Sequence, residues 1–182
     1  RVWDEGDAVF PVDQRLPKRS QSDLIEHMGV SAIVDSSGVT SVTGRPVDAG
    51  DALVVATSGS TGSPKGVVLT HDALAANAHA TNSYLGADAN VDKWLACLPP
   101  SHVGGFSVIV RALHSEIALE VHNGFDADRV IEAARNGATL VSLVPTAMGR
   151  IDTALFRKVL VGGSAVPSSR PPNVVATYGM TE

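Results

Sequence analysis

The sequence predicts an α/β fold with largely parallel sheets flanked by helices, and three observations support this prediction. Short apolar runs rich in β-branched residues recur along the chain and are typical of buried strands. Stretches with helical spacing separate several of these runs, and strands that alternate with helices favour a parallel sheet. The 182 residues are enough to bury a sizeable core, so we expect one domain or a large part of one.

Nine apolar runs are the predicted strands. In chain order they are AVFPV, AIVD, ALVVAT, GVVLT, WLACLP, IALEV, ATLVSLV, KVLVGG and NVVATY. Two pieces have the polar, proline- and glycine-rich composition of irregular segments. Residues 36 to 51 read as a surface linker, and residues 164 to 173 as a second, shorter irregular piece.

Three helices are predicted from their end signals and periodicity. The first runs from Ser20, a capping-type residue, to Gly29. The second is rich in alanine, has Thr70 as its candidate N-cap and ends near Gly86. The third carries apolar residues at helical spacing and closes at Gly137.

Composition and charge narrow the class of protein. The net charge of −5 argues mildly against a nucleic-acid or anionic-membrane surface, because both require a basic face. No apolar run reaches the roughly 20 residues of a membrane span, and the polar, acidic first ten residues lack the shape of a signal peptide. Cys97 is the only cysteine, which leaves no disulfide framework and no cysteine-based metal site. We therefore expect a soluble, cytoplasmic protein.

The stretch TSGSTGSPKGV, residues 57 to 67, has the composition of a phosphate-binding loop. Gly59 and Gly62 allow main-chain N–H groups to approach an anion, and Lys65 supplies a positive charge. Hydroxyl donors come from Ser58, Ser60, Thr61 and Ser63. The Walker pattern fails, because Pro64 stands where that pattern requires glycine before the lysine. The alternative is a flexible Ser/Gly turn between two strands.

Four segments together resemble the adenylate-forming acyl-CoA synthetase (AMP-binding) superfamily. The loop stretch TSGSTGSPKGVVLTH resembles its phosphate-binding signature, and LPPSHVGGF its acyl-pocket segment. VLVGGSAVP resembles its adenine-binding strand and loop, and ATYGMTE its Y-G-x-T-E segment. The four occur in the family's order across residues 57 to 182, while residues 1 to 56 are more loosely similar to its N-terminal βαβ stretch.

The resemblance implies ATP-dependent activation of a carboxylic acid to an acyl-adenylate, followed by thioester formation with coenzyme A. It also implies Mg²⁺, held by Glu182, and a hydrogen bond from Thr181 to the α-phosphate. The predicted catalytic residues are Lys65, His102, Thr181 and Glu182. The predicted ATP-binding residues are Thr57, Ser58, Gly59, Ser60, Thr61, Gly62, Lys65, Gly163, Ser164, Ala165, Tyr178, Gly179, Met180 and Thr181. Taken singly, Lys65 and Glu182 would more often be solvated surface charges, and Tyr178 a core or rim residue.

The acyl site is predicted at His102, Gly105, Arg111 and Thr146, with a helix beginning near Gly105. The spacing H-x-x-G-x-x-x-x-x-R resembles the o-succinylbenzoate–CoA ligase branch of the superfamily, which serves menaquinone synthesis. That substrate has two carboxylates, so Arg111 could hold the one that is not activated. The alternative is that Arg111 lies on a solvent-exposed helical face, since a buried arginine without an anion is costly.

The resemblance stops at Glu182. Family members continue with an aspartate for the ribose, a hinge and a small C-terminal domain that brings a catalytic lysine. One hypothesis is therefore the N-terminal portion of an acyl-CoA synthetase, impaired or inactive in isolation. The alternatives are a non-catalytic nucleotide-binding or interaction module of the same fold, or a ligase for another aryl or fatty acid. The predicted partners are small molecules, namely the carboxylate, ATP and coenzyme A; a kinase is disfavoured because no base or second metal-binding carboxylate is placed in the sequence.

Overall fold

The computed structural model describes residues 2–57, 63–179 and 181, and the chain divides into two compact units. The first unit is Arg1–Ala73 with Thr181–Glu182, and the second is Leu74–Met180. The expectation of one domain stays a prediction, and each unit is described by itself. No helix in the described ranges is long and apolar enough to cross a membrane.

The first unit is built from antiparallel pairs. Its elements are a 3₁₀ turn at Trp3–Glu5, helix α1 at Lys18–Met28, and strands β1 at Ala32–Asp35, β2 at Gly38–Ser41, β3 at Asp51–Thr57 and β4 at Lys65–Thr70. Strand β1 pairs with β2, and β3 pairs with β4, both antiparallel. The predicted strand AVFPV contributes a single parallel bridge from Val9 to Leu53.

Two sequence expectations for this unit are wrong. Helix α1 begins at Lys18, directly after Pro17, so Ser20 lies inside the helix and is not its cap. The N-cap is Pro17, whose ψ of 144° lies outside the helical region, and no side chain caps the start of the helix. The end is as predicted, because Gly29 adopts a left-handed φ of 66° and its N–H caps the carbonyls of Ile25 and Glu26. The supposed linker, residues 36 to 51, contains strand β2.

The second unit is a parallel sheet with helices between its strands. Its elements are α2 at His71–Leu85, which starts within the first unit, β5 at Lys93–Ala96, α3 at Val103–His114, β6 at Ala118–Val121, α4 at Ala127–Arg135, β7 at Leu140–Leu143, α5 at Pro145–Met148, a 3₁₀ turn at Thr153–Leu155, β8 at Lys158–Val161 and β9 at Val174–Ala176. The strand order is β6-β5-β7-β8-β9, and all four pairings are parallel. The predicted α/β class with a largely parallel sheet is confirmed.

Local caps explain where these helices begin. The Thr70 hydroxyl accepts a hydrogen bond from Ala73 N at 3.2 Å, as expected for the cap of α2. Asp126 accepts one from Arg129 N at 3.0 Å at the start of α4. Helix α3 starts at Val103, two residues before the predicted position.

The sheet of the second unit is buried on both faces, as parallel sheets are. Alternating side chains of its strands enter two clusters. One cluster is Leu95, Cys97, Val130, Ala133, Ala138, Val141, Leu143, Ala147, Phe156, Val159, Val161 and Val174. The other is Leu85, Trp94, Ala96, Val108, Ala112, Ile117, Leu140 and Leu160. The two clusters give the sheet a hydrophobic layer on each side.

A buried ion pair ties together the amino ends of three strands. Asp92, 1% exposed at its side chain, accepts hydrogen bonds from Arg157 Nε at 2.8 Å and from Thr139 Oγ1 at 2.6 Å. Arg157 also donates to the carbonyl of Leu85, at the end of α2, at 3.1 Å. Desolvation alone would raise the pKa of Asp92, but the hydrogen bonds from Arg157 and Thr139 outweigh it and leave that pKa lowered.

Candidate functional site

The predicted site residues of the second unit follow the carboxyl ends of its strands. Because the strands are parallel, these ends share one edge of the sheet, where ligands of open α/β sheets bind. Strand β5 leads to His102, β7 to Thr146, β8 to Gly163 and β9 to Tyr178. Residues far apart in sequence therefore lie along a single edge of the sheet.

The turn from β5 into α3 holds its glycine by close backbone contact. A Cβ on Gly105 would lie 2.2 Å from the Pro99 carbonyl oxygen and 2.9 Å from that of Leu98, so only glycine fits without a shift. His102 occupies the N-cap position of α3, and its carbonyl accepts hydrogen bonds from the N–H groups of Gly105 and Phe106, both at 3.0 Å. The His102 side chain is exposed at this edge.

The turns after β8 and β9 touch each other. Thr177 N donates to the Val161 carbonyl at 2.8 Å, and a Cβ on Gly162 would lie 2.3 Å from Thr177 Oγ1. Gly163 has a φ of +81°, which favours glycine. Beyond these contacts, Tyr178 is 90% exposed. Ser164, Ala165 and Gly179 are exposed as well. The edge thus offers a small-residue surface next to an unpacked aromatic ring.

Arg111 lies in the second half of α3 and is half-buried. Its guanidinium lies over the Trp94 ring, 5.8 Å from the centroid, with Nη1 3.4 Å from Ser142 Oγ and Nη2 3.5 Å from Asn77 Oδ1. Nε is buried without a hydrogen-bond partner among the described residues. Burial lowers the pKa of Arg111 to about 10, so the side chain stays cationic at neutral pH.

Three neighbours of Arg111 were missed from the sequence: Asn77, Trp94 and Ser142. Two of them left a signal. Ser142 is the polar residue of a strand in which all four positions are buried, and Asn77 interrupts an alanine-rich helix. Trp94 is fully buried in an apolar run, and nothing in the sequence indicates that a guanidinium packs on its ring.

In the first unit, Thr57 and Lys65 stand opposite each other as the last residue of β3 and the first of β4. His27 on α1 hydrogen-bonds through Nε2 with the Pro64 carbonyl at 2.9 Å, which fixes the chain just before β4. Lys65 is exposed and Thr181 is half-buried. The remaining predicted residues lie outside the described part of the chain, namely Ser58, Gly59, Ser60, Thr61, Gly62, Met180 and Glu182. Their roles stay predictions.

Metal and thiol chemistry have few candidates in the described residues. No group of three or more His, Cys, Asp or Glu side chains in residues 2–57, 63–179 and 181 is arranged to hold a metal ion. The predicted Mg²⁺ ligand Glu182 is outside those ranges. Cys97 is fully buried directly after β5, and burial raises the pKa of its thiol to about 12, so it is not a reactive nucleophile.

Comparison with protein families and curated sequences gives a consistent picture. The family described as AMP-binding enzyme matches residues 11–182. The chain is 35% identical over 160 residues to the "Probable 2-succinylbenzoate--CoA ligase" of Mycobacterium tuberculosis, covering 76% of this chain and 41% of that protein. It is 35% identical over 143 residues to the "2-succinylbenzoate--CoA ligase" of Lactococcus lactis, covering 72% and 32%. The chain therefore spans about two fifths or less of these relatives.

Solved structures share the fold. The O-succinylbenzoate coenzyme A synthetase (MenE) from Bacillus subtilis, in complex with ATP and magnesium ion, superposes with a TM-score of 0.74 at 21% identity, covering 94% of this chain and 54% of that one. The inhibitor-bound N-terminal domain of FACL13 from Mycobacterium tuberculosis superposes with a TM-score of 0.60 at 25% identity, covering 79% and 41%.

Proposed function

The chain belongs to the AMP-binding enzyme family, and from this membership we propose that it supplies the ATP and acyl sites of an acid–thiol ligase. The reaction is activation of a carboxylic acid by ATP to an acyl-adenylate, followed by transfer of the acyl group to coenzyme A. The proposed acid is o-succinylbenzoate, which the curated relatives' names specify. A protein that uses ATP and coenzyme A in menaquinone synthesis would act in the cytoplasm.

Arg111 is the observation that carries the choice of acid. It is a half-buried cation whose contacts in the described residues are neutral, two long hydrogen bonds and the face of Trp94. An arginine in such a place loses hydration without an ionic partner, a cost that an external carboxylate would offset. By the family resemblance, His102 at the start of α3 would guide the carboxylate that is activated, and Arg111 would hold the other one.

The edge after β8 and β9 has the features that the nucleotide requires. Gly163 and Ala165 present little side chain, and the exposed ring of Tyr178 is available to stack on a planar base. Lys65 and the loop before it would hold the β- and γ-phosphates. When bound, ATP supplies the electrophilic α-phosphorus and pyrophosphate as leaving group. Thr181 would hydrogen-bond the α-phosphate, and Glu182 would hold Mg²⁺, which prefers oxygen ligands.

The reaction class is tested by ATP–pyrophosphate exchange with a panel of carboxylic acids. The assay is run on this chain alone and on this chain joined to the C-terminal segment of the Mycobacterium tuberculosis relative. We expect exchange with o-succinylbenzoate in the joined form, with AMP as the nucleotide product. Formation of ADP instead would indicate phosphotransfer, and absence of both exchange and nucleotide binding in either form would favour a non-catalytic module.

Substitution of Arg111 by leucine tests whether the substrate is a dicarboxylic acid held by this arginine. It removes the cation that pairs with the second carboxylate, a loss of about 2 kcal/mol or more, and KM for o-succinylbenzoate should rise about 30-fold. For 4-oxo-4-phenylbutanoate and 2-butanoylbenzoate, which each lack one carboxylate, at least one KM should change only a few-fold. Arg150→Leu is the matched control, because Arg150 also lies over an aromatic ring, 5.2 Å from that of Phe125. Equal losses for the diacid and both monoacids would refute the assignment.

A further inference from the structure

Helix α2 holds Arg111 at two levels. Asn82, 5% exposed, donates from Nδ2 to the Arg111 carbonyl oxygen and to Ser115 Oγ, both at 2.8 Å. These are short, well-formed bonds, so α2 fixes the backbone of α3 at residue 111. One and a half turns earlier on α2, Asn77 accepts from Nη2 of the guanidinium. The same helix thus contacts both the backbone and the guanidinium of Arg111.

The surroundings of the guanidinium are neutral and weakly bonded. Ser142 and Asn77 accept at 3.4 Å and 3.5 Å, longer than the roughly 2.7–3.2 Å that is usual for N–H···O hydrogen bonds. Trp94 offers only its ring face. No carboxylate in the described part of the chain forms an ion pair with Arg111, whereas Arg157 of the same unit is paired with Asp92. The charge of Arg111 is therefore held in place and left uncompensated.

We propose that Asn77 is a positioning residue that determines charge selectivity at this site. Its amide aims the guanidinium without neutralising it, so that the affinity of Arg111 for an anion is kept for a second carboxylate of the substrate. The inference rests on the proposed function and adds a new element to it. A carboxylate at position 77 would form the ion pair internally, at a distance where the substrate could not compete well. The neutrality of residue 77 is then what makes the site select diacids over monoacids.

Asn77 is also a position where the idea can be tested without damaging the fold. Its side chain is exposed, unlike that of Asn82, whose loss would strip α3 of two bonds. Asn77→Asp changes one atom group and adds one negative charge. Asn77→Leu removes the acceptor at nearly the same size. Asn123→Asp, at an exposed asparagine after β6, is the matched control for the added charge.

The experiment measures binding of o-succinylbenzoate to the 182-residue chain by calorimetry, with Trp94 fluorescence as a second signal. We expect Asn77→Asp to raise Kd about 30-fold, Asn77→Leu about three-fold, and Asn123→Asp less than two-fold. In an Arg111→Leu background, Asn77→Asp should add less than two-fold, because it acts through the arginine. Circular dichroism and thermal unfolding confirm that each variant is folded.

Failure of the proposed function and failure of the Asn77 role give different binding results. If the unsubstituted chain binds neither o-succinylbenzoate nor ATP, the proposed function fails. If it binds the diacid and Arg111→Leu weakens binding, but Asn77→Asp behaves like Asn123→Asp, the role of Asn77 is refuted and the proposed function stands. If Asn77→Asp weakens binding equally with and without Arg111, the added charge repels the ligand directly and the positioning role is refuted.

Discussion

The two units of this chain bury their β-strands to different extents. Strand β7 of the second unit has all four residues buried, while β2 of the first unit has all four exposed. The first unit leaves several valines in solvent, among them Val34, Val39 and Val68, at 65%, 59% and 48% exposure. The second unit instead buries a sheet between two hydrophobic layers.

This difference indicates where stability and adaptability lie. A parallel sheet covered on both faces carries most of the apolar burial and should unfold cooperatively. Antiparallel pairs with exposed faces contribute less, because burial rather than pairing supplies most of the free energy. The proposed acyl and adenine contacts stand on the first kind of scaffold, whereas the phosphate-type loop joins β3, which is partly buried, to β4, which is mostly exposed.

The largest difference between the two units is expected when one ion pair is removed from each and the free energies of unfolding are compared. Asp92→Asn should lower the free energy of unfolding by about 3 kcal/mol, because it leaves Arg157 buried in part without its partner. Arg15→Gln, which removes the exposed partner of the pair with Asp13, should cost less than about 1 kcal/mol, because the Arg15 side chain is 68% exposed. Chemical denaturation measures both.

Acid should weaken the Asp92 effect. Since the pKa of Asp92 is lowered in the fold, its contribution is present above the ordinary value of 3.8 and is lost as pH falls below it. The stability gap between wild type and Asp92→Asn should therefore shrink in that range. Equal costs for Asp92→Asn and Arg15→Gln at neutral pH would contradict the contrast between the units.

A second test compares valines in paired strands. Val159→Ala in β8 removes a fully buried side chain and should cost about 2.5 kcal/mol, the transfer term plus a cavity. Val39→Ala in β2 should cost less than about 0.5 kcal/mol, because its side chain is 59% exposed. Thermal unfolding of both variants gives the two losses of stability. A large loss for Val39→Ala would show that the first unit depends on a packed face at that strand.

A third and smaller effect is expected at two adjacent glycines of α3. Gly105→Ala should destabilise by about 2 kcal/mol, since its Cβ would press on the carbonyls of Pro99 and Leu98. Gly104→Ala meets nothing within 4 Å and should be neutral or stabilise by up to about 1 kcal/mol through helix propensity. Calorimetry of the two variants would contradict this explanation if both shifted Tm in the same direction.

Much of the fold could be predicted from the sequence, and the errors have physical causes. The buried strands were predictable because each is an apolar run. Thr70 correctly predicted the start of α2, Gly29 the end of α1, and residues 136 and 137 the end of α4. The predicted start of α1 at Ser20 is wrong because the helix extends back to Lys18, and Pro17, not a hydroxyl residue, is its N-cap. Strand β2 was missed because an exposed strand lacks the apolar pattern by which strands are recognised.

The site was predictable only as far as single segments allow. His102, Gly105 and Arg111 share one turn and helix, so their spacing could be read directly. Asn77 and Ser142 come from other elements, and packing alone brings them to Arg111. A sequence shows that a cation stands in an apolar run, but it does not show that the cation's contacts within the described part of the chain are neutral.

The buried thiol of Cys97 makes it possible to measure the opening rate of the second unit. The chain has one cysteine, and it is sealed in the core cluster of the second unit with a thiol pKa of about 12. A thiol reagent can reach it only when the sheet opens, so the rate of labelling counts openings. The labelling rate of Cys97 therefore reports how often the parallel sheet of the second unit opens, without any engineered probe.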